Sequence, residues 1–109
     1  MPTFKFKTDD KGDFYSDKDT FPLTQYDMVM RDPDNVYVTV KLLKPKDAHI
    51  KVLTLTINKK TRNVEVSTGK TVKVGTFPLV EGKNSIKFEG ESDQPGEPHE
   101  IEVVPLLLP

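Results

Sequence analysis

The residues that most constrain this chain lie between Leu53 and Gly90, in LTLTINKKTRNVEVSTGKTVKVGTFPLVEGKNSIKFEG. Apolar and polar side chains alternate there in short runs, and turn residues interrupt them. Alternation of period two places one face of each strand against a core and the other in water. The interruptions fall at Asn58–Arg62, Ser67–Lys70 and Glu81–Asn84, and the stretch closes on a G-x-N-x-I-x-F step at Gly82, Asn84, Ile86 and Phe88. Short strands with tight turns at regular spacing predict an antiparallel β-sandwich.

At 109 residues the chain is long enough for one core and too short for two, so residues 1–109 are expected to form a single domain. Nine prolines and six glycines suit a chain with many turns. No cysteine is present, which removes disulfides and thiolate chemistry. That favours a protein assembled inside a cell, or a bacterial surface module, over a disulfide-stapled secreted domain. Phe4-Lys5-Phe6-Lys7 opens directly as a strand, with no basic and apolar leader ahead of it. A chain without a signal peptide is therefore expected, unless it is a domain cut from a longer protein. The apolar run Leu106-Leu107-Leu108 is far shorter than a membrane span.

The formal net charge of −1 hides an uneven spread. Residues 8–35 carry eight acids against Lys11, Lys18 and Arg31, and residues 41–87 carry eleven basic residues against Asp47, Glu65 and Glu81. Residues 88–109 carry six acids and no base. Antiparallel neighbours would set basic and acidic strands side by side and cancel the field. A basic face for nucleic acid is the competing reading, but no aromatic platform lies among the lysines between Leu42 and Thr76.

Along the chain, Thr3–Lys7 reads as a first strand and residues 8–20 as an acidic loop or hairpin anchored by Phe14 and Tyr15. Phe21–Met30 fits an edge strand or one helical turn, and Arg31–Asn35 a turn around Pro33. Val36–Leu43 is the clearest strand, with Val36, Val38 and Val40 inward. In His49–Ile57, Leu53, Leu55 and Ile57 share one face and Ile50 and Val52 the other, as suits a strand near the middle of a sheet. Val64 and Val66, Val72 and Val74, and Ile86 and Phe88 follow. Glu100–Val104 closes the sheet, and Pro105, which donates no ladder hydrogen bond, is expected to end it. The total is about seven to eight short strands, with residues 1–35 as a loop-rich N-terminal part.

Few residues suggest chemistry. Asp9, Asp10, Asp13, Asp17 and Asp19 could hold calcium, yet an EF-hand frame started at Asp9 meets Phe14 where glycine is needed and Thr20 where the bidentate glutamate belongs. A solvated loop without metal is preferred. His49 and His99 lack a partner at metal-site spacing and read as surface or strand-edge residues. Thr68-Gly69-Lys70-Thr71 contains a GKT triplet without the upstream glycine of a phosphate loop, and reads as a β-turn. No G-x-S-x-G elbow is present. No enzymatic activity, catalytic residue, metal or cofactor is expected. Tyr15, Tyr26 and Tyr37 could line a carbohydrate groove, against a preferred role in packing.

Two groups share features with these residues. Leu79-Val80-Glu81-Gly82-Lys83-Asn84-Ser85-Ile86-Lys87-Phe88 resembles the LxEGxNxIxx step of immunoglobulin-like repeats in bacterial surface proteins. Ile57-Asn58-Lys59-Lys60-Thr61-Arg62-Asn63-Val64 and the segment Phe77–Phe88 are similar to the hairpin and following strand of the sandwich domain in distal tail and baseplate proteins of long-tailed bacteriophages. Asn58 stands where that phage family often has aspartate, and Val104–Pro109 replaces its basic-aromatic ending. Both resemblances imply an immunoglobulin-like, all-β module that holds or binds something without catalysis.

The expected function is thus a structural or adaptor sandwich of a virion, most specifically a phage tail, acting through protein–protein contacts in a homo-oligomer or larger assembly. The alternative is an immunoglobulin-like module on a bacterial surface, serving as a spacer or binding carbohydrate. Neither nucleic acid nor membrane is an expected partner. Leu106, Leu107 and Leu108 are the expected interface, because three leucines at a chain end either fold back over the core or dock on a neighbour.

Overall fold

A computed structural model describes residues 2–24 and 37–106. Among them are eight strands and no helix: β1 (Thr3–Lys7), β2 (Asp13–Leu23), β3 (Tyr37–Lys44), β4 (His49–Ile57), β5 (Lys60–Ser67), β6 (Thr71–Gly75), β7 (Gly82–Glu91) and β8 (Pro98–Leu106). The pairing is nested. β1 pairs with β8, β2 with β7, β3 with β6 and β4 with β5, all antiparallel. Two further pairings, β3 with β8 and β4 with β7, join these ribbons into sheets of order β1-β8-β3-β6 and β2-β7-β4-β5.

The chain is in effect one long hairpin, with its tip at Asn58-Lys59, rolled so that successive pairs alternate between two sheets. Both tip residues have positive φ, 48° and 73°. That is the geometry of a two-residue turn whose twist matches the flanking strands, and asparagine tolerates it better than most residues. Two four-stranded sheets with this nested connectivity form a jelly roll. The immunoglobulin order expected from the resemblance groups its strands as ABED and CFG. Here the first strand lies beside the last, so that order is not followed.

The core lies between the sheets. Val38, Val40, Leu42, Ile101 and Val103 face it from one side, and Leu53, Leu55, Ile57, Ile86 and Phe88 from the other, all essentially without solvent contact. The Phe4 and Phe88 rings, one from each sheet, meet with centroids 5.3 Å apart. Fully burying a side chain of this size contributes about 1.5–3 kcal/mol, so this alternation drives the packing of the two layers.

Several expectations are corrected. The acidic stretch 8–20 is a loop only to Gly12; from Asp13 it is an edge strand whose inward residues are Phe14, Phe21 and Leu23. A register shift between Ser16 and Asp19 interrupts the period-two pattern, which hid the strand. A second shift, between Ile50 and Leu53, turns Ile50 inward with Leu53 and leaves Val52 exposed, so these two do not share a face. The last strand does not stop at Val104, since Val38 pairs with Pro105 and Tyr37 with Leu106. Proline is tolerated there because, among the described residues, nothing on the β1 side pairs with β8 past the Pro2 carbonyl, which accepts from Val103 N–H. On that side the described β8 is thereafter a sheet edge. The expected turn at 31–35 lies outside the described residues.

Candidate functional site

Three internal polar groupings organise the loops that frame the two faces. The first surrounds Asn84, which has no solvent contact. Its amide donates to the Val80 carbonyl at 2.9 Å, and its oxygen accepts from Val80 N–H at 2.8 Å and from the Asn58 amide at 2.7 Å. The G-x-N-x-I-x-F step is therefore a loop clamp: the asparagine holds 78–82 while Ile86 and Phe88 enter the core.

The second is Ser92 with His99. The Ser92 hydroxyl lies 2.7 Å from His99 Nε2, and His99 Nδ1 lies 2.7 Å from the Glu97 carbonyl. Donation from Nδ1–H to that carbonyl leaves Nε2 to accept from the hydroxyl. A serine beside an imidazole oriented by a third group has the outline of a nucleophile and its base. Both residues are buried, however, and the Phe6 ring stacks on the imidazole at 5.3 Å. Ser92 Oγ also accepts from Gln94 N–H, and Gln94 O accepts from Thr8 Oγ1. The group ties the loop after β7 to the loop after β1. His99 is thus an interior residue and not the strand-edge histidine expected; only the tertiary pairing of Phe6 with His99 encloses it.

The third is Thr68, whose hydroxyl donates to the Pro45 carbonyl at 2.6 Å and accepts from Ala48 N–H at 2.9 Å. The GKT triplet is thereby part of a turn, as expected, and the turn is fastened to the neighbouring 44–48 loop.

The acids of residues 9–19 do not converge. Asp9 Oδ1 accepts from Lys11 N–H and Asp13 N–H, closing the turn, and Asp19 accepts from Ser16 Oγ at the register shift. Asp13 and Asp17 lie along β2. Among the described residues no group of three or more acidic or histidine side chains is placed to hold a metal ion. His49 instead pairs with Glu65 at 2.7 Å across β4 and β5. Tyr15 and Tyr37 belong to strands of different sheets, and Tyr26 lies outside the described residues. Of the expected interface, Leu106 ends β8, and Leu107 and Leu108 lie outside the described residues.

What remains exposed is two sheet faces of different character. On the outer face of the β2-β7-β4-β5 sheet, Tyr15 is 61% and Val52 50% exposed, the largest such values among the described large hydrophobic residues. Tyr15 pairs with Glu89 and Asp13 with Glu91. A shallow depression lined by Asp9, Asp13, Tyr15 and Glu89 lies on one side of β7, and a second lined by Val52, Lys51, Glu91 and Asp93 on the other. The negative charge of Asp17, with a smaller effect from Glu89, pushes the Tyr15 phenol above its ordinary pKa of 10.0.

The outer face of the β1-β8-β3-β6 sheet carries a groove of about 410 Å³ lined by Lys5, Lys7, Lys44 and Glu100. Here β8 supplies acids between two lysine-bearing strands: Glu100 lies opposite both Lys5 and Lys44. This is the side-by-side charge arrangement expected of antiparallel neighbours. Lys44 reaches Glu100 at only 3.9 Å, and its side chain is 72% exposed. Sequence reasoning missed both faces because each is assembled from strands distant in the chain. It also missed Arg62, which occupies an inward register position opposite Leu55. Its Nε is buried without a hydrogen-bond partner in the described structure, and a Cβ on Gly75 would stand 2.9 Å from that nitrogen. An inward charge on an edge strand discourages pairing by another chain.

Compared with known proteins, the chain matches no family model, no curated protein and no solved structure.

Proposed function

We propose that this chain is a non-enzymatic structural or adaptor module, working through protein–protein contacts as a component of a virion, with a phage tail as the specific setting. The observation that carries the reading is the nested pairing of eight strands in two sheets. Viral capsid proteins and lectins are prominent users of that architecture. A fold hosts functions without dictating them, and this architecture supports the reading by analogy. The hairpin and G-x-N-x-I-x-F features shared with phage tail and baseplate domains point the same way. Light scattering on the purified chain tests it: a mass well above that of the monomer is expected. A monomer at every concentration, with no incorporation into particles, would overturn it.

A second reading rests on Tyr15. A ring this exposed, in a row with Glu89 and Thr54 across three strands, suits a sugar stacked on its face. In that case the chain is a surface-displayed carbohydrate-binding module, and a glycan array gives specific signals that Tyr15→Ala abolishes.

A further inference from the structure

The two outer faces point in opposite directions, because each is the far side of a layer whose near side is core. One presents Tyr15 and Val52 among Asp13, Glu89 and Glu91, and the other presents the groove of Lys5, Lys7 and Lys44. Lys5 and Lys7 alternate with inward Phe4 and Phe6, so both ammonium groups project from the same side. Among the described residues, Asp13, Glu89 and Glu91 cluster at the Tyr15 end of this face, and the exposed lysines nearest them on the same strands, Lys87 on β7 and Lys51 on β4, are fewer. Lys51 lies beside Glu91 across the second depression, whereas Glu89 and Asp13 share theirs with Asp9 and Tyr15.

We propose that copies of this chain stack front to back, with the Tyr15 face of one copy seated on the lysine groove of the next. This rests on the assembly reading above and names the surfaces that carry it. Charge complementarity selects the partner. The acidic face fits a surface bearing several lysines, and the chain itself presents one on its opposite side. Burying Tyr15 and Val52 supplies the apolar contact, and a lysine ammonium against the tyrosine ring adds cation–π attraction. The molecule measures 43 × 26 × 20 Å, so its broad sides accommodate the ~800 Å² per partner of an ordinary stable interface. The two surfaces differ, so the contact is heterologous, and its repetition closes a ring or extends a filament. Glu100 inside the lysine groove favours a protein partner over a polyanion, which would meet that carboxylate as a repulsion.

The test uses the full chain and two charge-reversed variants at exposed positions. One is Glu89→Lys with Glu91→Lys; the other is Lys5→Glu with Lys7→Glu and Lys44→Glu. Light scattering should give at least twice the monomer mass for the parent at about 0.05 M salt and less at about 0.5 M, where screening is stronger. Each variant alone should be monomeric, with the circular dichroism and cooperative melt of the parent. An equimolar mixture should regain the parent mass, because every contact in an alternating stack again joins opposite charges. A parent that assembles equally well with either variant's changes overturns the stacking geometry and leaves the assembly reading in place. A parent that is monomeric at every concentration overturns the stacking, and one that also enters no particle overturns the assembly reading with it. Should one variant fail to fold, Tyr15→Ala replaces it, and an unchanged mass for that substitution counts against the proposal.

Discussion

Asn58, at the tip of the β4–β5 hairpin, donates from its side-chain amide to the Asn84 oxygen at 2.7 Å, joining two turns that are 26 residues apart in sequence. The same Asn58 amide reaches the Pro78 carbonyl, and its oxygen accepts from Ser85 N–H at 3.0 Å. The tip of the rolled hairpin and the entry to β7 are therefore a single hydrogen-bonded unit, and Asn84 is its buried member.

Removing Asn84 leaves Val80 N–H and C=O without their side-chain partner. Asn84→Ala should destabilise by about 2–3 kcal/mol, the scale of leaving buried polar groups unsatisfied. Asn58→Gly keeps the positive φ and loses only the side-chain bonds, so about 1–2 kcal/mol is expected. Urea titration of both single variants and the double variant should give a double-variant loss smaller than the sum, as for residues in one network. Strict additivity would show that the two turns are energetically separate.

The shift in β4 predicts opposite responses from two neighbouring aliphatic residues. Ile50 has no solvent contact and Val52 is half exposed. Ile50→Ala should cost about 2–5 kcal/mol, while Val52→Thr should stay within about 0.5 kcal/mol. Equal losses at both positions would mean that the strand runs without the shift.

Two glycines with similar backbone angles separate backbone strain from crowding. Gly12 (φ 89°) and Gly69 (φ 87°) both lie in the left-handed region, but a Cβ at Gly12 would stand 2.1 Å from the Ser92 carbonyl oxygen. Gly69 has nothing within 4 Å of that point. Gly69→Ala should cost about 1–2 kcal/mol from the backbone alone. Gly12→Ala should cost at least about 3 kcal/mol, since the loop held against Ser92 must also move. Thermal melts of the two variants compare them directly, and equal shifts would contradict the close approach.

The Tyr15 phenol should deprotonate above the ordinary tyrosine value, because the phenolate would face Asp17 and Glu89. Asp17 is the larger influence, so Asp17→Asn should lower the Tyr15 midpoint more than Glu89→Gln does. Ultraviolet titration, with Tyr15→Phe subtracted to remove the other two tyrosines, measures it. Because the ring is exposed, added salt should also lower the midpoint. A midpoint insensitive to both substitutions would remove the evidence for a negative field on this face.

The all-β class and most strand positions follow from local chemistry that any reader of the sequence can see. Alternation of Leu53, Leu55 and Ile57, or of Ile86 and Phe88, leaves a chain little choice but to bury one side of each strand. Asn58-Lys59 and Ser67–Lys70 can hardly be anything but turns. Those signals operate over a few residues. They are silent wherever a register shift changes which side faces inward, as at Ser16–Asp19 and Ile50–Leu53, because a shift depends on the partner strand. They are silent also on strand order, since the same eight strands can pair as an immunoglobulin sandwich or as a nested roll. Long-range pairing alone placed β1 beside β8, closed Phe6 over His99, and set Tyr15 and the Lys5, Lys7 and Lys44 groove on opposite faces. Local sequence thus determined what each segment is. Where charge and aromatic surface gather was decided by hydrogen bonding between strands up to about a hundred residues apart, which no short window of sequence records.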